Sequence, residues 1–158
     1  MEQKRLLIVD DETNIRFMLS IALESDEFQV DTAVNGAESL AKIRQQDYAM
    51  MLLDLKMPRM SGMEVLANVR KTHPELPVIM ITAHGTIENA VEAMKLGAVD
   101  FIRKPFTPQE IRAVVTNVLE RQRLQADQAI DYASLVGQAK ESFQGEVFLA
   151  EDFMELEF

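Results

Sequence analysis

The chain has 158 residues, 47% of them hydrophobic and 27% charged, with a net charge of -10; this balance suits one globular core with a modest extension and is too short for two ordinary domains. Residues 127–158 carry eight acids against the single Lys140, which leaves -3 on residues 1–126. An acidic chain without a basic cluster argues against direct nucleic-acid or anionic-membrane binding, because both need Lys and Arg to neutralise phosphate. The absence of cysteine removes disulfides, thiolate zinc sites and thiol chemistry.

Met1-Glu2-Gln3-Lys4-Arg5 leads into only four apolar residues before an acidic pair. That is neither a signal peptide nor a spanning helix, so the expected location is the cytoplasm. Leu6-Leu7-Ile8-Val9 then predicts a short strand ending in Asp10-Asp11-Glu12, after which Thr13 and Asn14 open a helix with apolar residues at 15, 18, 19, 22 and 23. Phe28 to Val34 alternates as a second strand. Asn35 offers a helix N-cap with Glu38 three residues on, and Ala37, Leu40 and Ala41 make that helix amphipathic.

The run Met51-Leu52-Leu53-Asp54 is apolar into one acid and stops before Pro58, which predicts a strand buried on both faces with Asp54 at its carboxyl end. Ser61 caps the next helix with Glu64 at the capping-box position, and Val65, Leu66 and Val69 form its inner side. Val78 to Thr82 is the fourth strand. Residues 87, 90, 91 and 94 line a fourth helix that stops at Gly97, and Asp100 to Arg103 is a short fifth strand. Thr107-Pro108 starts the fifth helix, whose apolar face is Ile111, Val114, Val115, Val118 and Leu119; it runs on past Leu119, although Arg121-Gln122-Arg123 interrupts the stripe. Five repeats of strand then helix predict an α/β, doubly wound parallel sheet with helices on both faces.

In such a sheet the acids Asp10, Asp11 and Asp54 project toward one edge, and their mutual repulsion calls for a cation. Oxygen ligands without His or Cys suit Mg²⁺, and no calcium-loop spacing is present. Thr82 brings a hydroxyl and Lys104 an ammonium to the same edge. Each has an ordinary reading: Asp54 as a turn acid, Thr82 as a strand-end residue, Lys104-Pro105 as a turn, Phe101 as core. Together they describe a phosphoryl-transfer site with Asp54 as nucleophile.

The motifs Val9-Asp10-Asp11-Glu12, Leu53-Asp54-Leu55-Lys56-Met57-Pro58 with Ser61-Gly62, Ile81-Thr82-Ala83-His84-Gly85 and Lys104-Pro105-Phe106 occur in an order and spacing that resemble the receiver domain of bacterial two-component response regulators, over Lys4 to Leu124. The resemblance implies a flavodoxin-like strand order 2-1-3-4-5. It also implies Asp54 as phospho-acceptor, Asp10, Asp11 and Asp54 with the Lys56 carbonyl as Mg²⁺ ligands, Lys104 on the phosphoryl group, and Thr82 with Phe101 as switch residues. A cis Lys104–Pro105 bond is expected on the same ground. Lys56 and His84 lie where they would screen or align a hydrolytic water. The implied partners are a sensor histidine kinase or phosphotransfer protein and a downstream protein effector, with a homodimer through the fourth helix, fifth strand and fifth helix; the protein is then a phosphoacceptor signalling domain rather than an enzyme.

Residues 85–98 resemble more narrowly the receivers of nitrogen-regulation-type (sigma-54-dependent) activators. Those continue into an ATPase and a helix-turn-helix, whereas this chain carries neither a Gly-rich phosphate loop nor a basic recognition helix. The rival to a stand-alone switch is therefore the amino-terminal regulatory part of a DNA-binding activator. A haloacid-dehalogenase-type phosphatase wants a second Asp two residues after the nucleophile, where this chain has Lys56. Residues 125–158 are read as an extension of the fifth helix and an acidic tail in which Phe143, Phe148, Phe153 and Phe158 recur every five residues. Such a segment is either a docking peptide or an inert or back-packed terminus.

Overall fold

The computed structural model of the protein describes residues 3–143 except His84, with side chains through residue 126. Two compact units are present, Met1–Leu119 and Glu120–Phe158. The predicted tail beyond residue 143, with Phe148, Phe153 and Phe158, lies outside the described residues, as does His84.

Ten elements alternate along the chain: β1 (Lys4–Val9), α1 (Thr13–Leu23), β2 (Phe28–Ala33), α2 (Gly36–Gln45), β3 (Met50–Asp54), α3 (Gly62–Thr72), β4 (Val78–Thr82), α4 (Ile87–Lys95), β5 (Asp100–Arg103) and α5 (Pro108–Phe143). The strands form one parallel sheet in the order β2-β1-β3-β4-β5. The expected doubly wound fold and its strand order are both observed. All five residues of β3 and all five of β4 are buried, which explains why these strands read as unbroken apolar runs: each has helices on both sides.

Strand alternation sorts the core into two layers. Leu7, Val9, Met51, Leu53, Val78 and Met80 face Val65, Leu66 and Val69 of α3, Ile43 of α2 and Ala93 of α4. Their neighbours Leu6, Ile8, Leu52, Ile79 and Ile81 face Leu19 and Leu23 of α1 and Ile111, Val115 and Val118 of α5. The faces predicted for α1, α3 and the start of α5 are thus the buried ones.

Two helices depart from their predicted faces. In α2 the buried positions are Gly36, Ser39 and Ile43, while Ala37 is exposed; the Ser39 hydroxyl can enter the core because it donates to the Gly36 carbonyl at 2.7 Å. In α4, Ile87, Val91 and Met94 stand 85%, 47% and 49% exposed, and Ala93 is the residue turned into the core. Periodicity identifies residues that share a face but not which face a neighbouring layer has room for.

Side-chain caps set the starts of most helices. Asn35 accepts from the Glu38 amide at 2.8 Å, Ser61 from Glu64 at 3.3 Å, Thr86 from Asn89 at 3.1 Å and Thr107 from Glu110 at 3.1 Å. Asn35→Ala is expected to lower stability by about 1 kcal/mol, seen as a lower urea midpoint with an unchanged slope; an unchanged midpoint would dismiss the cap's contribution. At its other end α4 closes with the amide of Gly97 on the Met94 carbonyl and that of Ala98 on Ala93, at 3.1 and 3.0 Å. Gly97 sits at φ 104°, so the glycine predicted as a helix stop is the left-handed residue of a Schellman turn.

Candidate phosphoryl-transfer site

Strand register brings the predicted residues to one level. Val9 pairs with Leu53, Asp54 with Ile81, and Thr82 with Arg103, so Asp10, Asp54, Thr82 and Lys104 leave the sheet side by side at its carboxyl edge. The edge is held by main-chain hydrogen bonds from Leu55 to Ile81 at 2.9 Å and from Lys104 to Thr82 at 2.8 Å. The Lys104–Pro105 bond is cis, as the resemblance implies.

Asp10, Asp54 and Thr82 are buried at 1%, 5% and 0% exposure, an uncommon depth for two carboxylates unless they are paired. Their partner is Lys104, whose ammonium lies 2.9 Å from Asp10 Oδ2 and 3.8 Å from both Asp54 Oδ1 and Glu12 Oε1. Burial pulls the Lys104 pKa down, but the Asp10 hydrogen bond and the charges of Asp10, Asp54 and Glu12 outweigh it and hold it above the ordinary value. For Asp54 the balance goes the other way. Burial first, then Asp10 and Asp11, push its carboxyl up to about 7 against the opposing pull of Lys104 and a backbone hydrogen bond from Lys56.

The site therefore carries more negative charge than one lysine neutralises. The Asp10, Asp11 and Glu12 carboxylates approach within 4.8 Å of one another, all hard oxygen donors, and this donor set fits a magnesium ion better than a softer metal. Asp54 is joined to that group through Lys104. Phe101 is half-buried in β5 against the layer that includes Met80.

Two contributors had no role in the sequence reading. Glu12 is the N-cap of α1 without capping it by its side chain; its carboxylate reaches toward Lys104 instead, and its signal was only that it is the third acid of a run. Arg16 donates to the Asp10 carbonyl at 2.7 Å and to the Thr13 hydroxyl at 3.1 Å, clasping the acidic turn. No periodicity or motif marks such a clasp, because it depends on how α1 leaves the sheet.

Among the described residues, no helix is long and apolar enough to cross a membrane. Residues 6–116 match the response regulator receiver domain family. The transcriptional regulatory protein SrrA of Staphylococcus aureus is 42% identical over 116 residues, 73% of this chain and 48% of that protein; the chain spans about half the length of the curated relatives it matches. A CheY-like receiver domain protein from Methanospirillum hungatei superposes with a TM-score of 0.75 at 34% identity, covering 78% of this chain and 99% of the other. NtrX from Brucella abortus gives 0.75 at 35% identity over 81% of this chain and 30% of NtrX. By this match, and with a five-stranded sheet of the same kind, the chain belongs to the response regulator receiver domain family of two-component signalling.

Proposed function

We propose that residues 4–124 work as a magnesium-dependent phospho-aspartate switch with Asp54 as the acceptor. The observation that carries this reading is the 3.8 Å approach of the Lys104 ammonium to a buried Asp54 carboxylate, a pairing suited to a group that receives a dianionic phosphoryl. An Asp54 oxygen attacks phosphorus, the P–N bond of a phosphohistidine donor breaks, and the leaving imidazole nitrogen keeps the electron pair and takes a proton from water. Lys104 shifts from its carboxylates to a phosphoryl oxygen, and the Thr82 hydroxyl donates to another. Asp10, Asp11 and Asp54, with the Lys56 carbonyl, would hold Mg²⁺, and Glu12 lies close enough to join through water. When bound, the ion neutralises the acids and the charge developing on the phosphoryl oxygens.

The donor on this reading is a sensor histidine kinase or phosphotransfer protein, and the output is contact with a protein effector or a second copy through α4, β5 and α5. The exposed Ile87, Val91 and Met94 support that surface. On this reading the switch does not include residues 125–158. A second reading, favoured by the regulator SrrA being about twice the matched length, is that the switch controls a DNA-binding activator of which this chain is the regulatory part; the full-length transcript separates the two.

Incubation with acetyl phosphate and Mg²⁺ should add one phosphoryl group to the wild type and none to Asp54→Asn, read by intact mass, with oligomeric size followed in parallel. Equal labelling of both proteins would remove Asp54 from the role.

A further inference from the structure

We propose that Gly85, in the turn between β4 and α4, is a positioning residue that sets where Thr82 and Phe101 rest. Its φ lies outside the left-handed region, so no backbone demand calls for glycine. The demand comes from contact: a Cβ on Gly85 would stand 2.6 Å from Phe101 Cζ, 2.7 Å from Phe101 Cε1 and 2.6 Å from the Thr82 Cγ2 methyl. One missing methyl group is therefore what lets a ring from β5 and a methyl from β4 close on the same Cα.

The three nearest atoms all belong to side chains, in contrast to a collision with main chain. An alanine here leaves the turn accessible and disfavours only the present placement of Thr82 and Phe101. This inference rests on the reading of those two residues as the moving parts of the switch. Under that reading any group that disfavours the present placement raises the population of the other one. A ligand that binds the other placement then binds more tightly, since its apparent affinity is divided by the competent fraction. Gly85 thus acts on phosphoryl chemistry through Thr82 and Phe101, without touching the phosphoryl group.

The test is the affinity of beryllium fluoride with Mg²⁺, a phosphoryl mimic, measured by titration calorimetry on the full chain. Wild type should bind and Asp54→Asn should not; failure of the wild type sinks the switch reading and this inference with it. Given wild-type binding, Gly85→Ala should bind about fivefold or more tightly. In a Thr82→Ser, Phe101→Leu background, where the colliding methyl and ring are gone, adding Gly85→Ala should change affinity less than about twofold. Unchanged or weaker binding by Gly85→Ala overturns the inference while leaving Asp54 as acceptor. So does an equal gain in the altered background, because the effect would not run through the contact. If Gly85→Ala fails to fold while the triple variant folds, the present placement is the sole one the chain tolerates, and the inference is likewise overturned.

Discussion

Gly62→Ala is expected to cost more than about 3 kcal/mol of stability, at the upper end of what one added methyl group does to a protein. Gly62 opens α3 directly behind the strand that delivers Asp54, with its amide donating to the Leu55 carbonyl at 2.8 Å. A Cβ there would lie 2.2 Å from the Asp54 carbonyl oxygen, 2.8 Å from Leu55 Cα and 3.0 Å from the Asp54 carbonyl carbon. All three are main-chain atoms of Asp54, the last residue of β3, and of Leu55, the buried residue after it. None can rotate away, so relief requires moving either the strand end or the whole of α3, which packs Val65, Leu66 and Val69 at 0% exposure. Gly36 provides the comparison. Its added Cβ would meet Val65 Cγ2 at 2.7 Å, Met60 Sδ at 2.9 Å and Met60 Cβ at 3.1 Å, side-chain atoms of which the methionine sulfur is the most able to shift, and alanine is favoured over glycine in a helix by about 0.5–1 kcal/mol. Gly36→Ala should therefore cost far less than Gly62→Ala. Urea unfolding of the two variants decides the matter, and a Gly62→Ala loss below about 1 kcal/mol would mean that the β3–α3 turn is more compliant than this geometry allows.

Asp54→Asn is expected to stabilise the metal-free protein, and to do so more at high pH than at low. The Asp54 carboxyl stands at about 7 in the folded protein against 3.8 for an ordinary one, chiefly because it is buried and next because Asp10 and Asp11 are close. Between those values the native state keeps a proton that the unfolded chain has released. Stability contributed by the neutral form is thus complete below about pH 4, declines as pH rises through the interval, and is fully lost above about pH 7. Asparagine has no proton to lose. In a chelating buffer the variant should exceed the wild type by about 1–2 kcal/mol near pH 8, less than the whole displacement because solvent at the open edge screens part of it. That corresponds to a rise in Tm of about 3–8 °C. Near pH 5 most of the gain should vanish. Excess Mg²⁺ should narrow it at pH 8 by stabilising the wild type, which retains the full acid set. Parallel melting curves for the two proteins across this pH range would show that Asp54 is not held in its neutral form.

These two expectations describe one compromise. A carboxylate forced into a buried edge beside two other acids destabilises the resting fold, and under the proposed function the same crowding is what a cation and a phosphoryl group would relieve. The chain meets part of the cost locally: Lys104 pairs with Asp10 at 2.9 Å, and Arg16 clasps the acidic turn from outside.

The sheet was readable from the chain itself because its central strands are apolar on both faces and its turns carry Asn35, Ser61, Gly97 and Thr107 at the positions where helices start or stop. The placement of Asp10, Asp54, Thr82 and Lys104 was readable for a related reason: each ends a strand or directly follows one, so predicting the strands predicted one common edge. Other features depended on packing between elements distant in sequence. Whether Ile87, Val91 and Met94 turn inward or outward was decided by the layer behind α4, which takes Ala93. Glu12 and Arg16 joined the site because α1 leaves the sheet at an angle that brings one toward Lys104 and the other under the Asp10 carbonyl. Gly62 and Gly85 look alike in sequence. The tertiary structure alone separates them, because the first abuts main chain that cannot yield and the second abuts side chains that can.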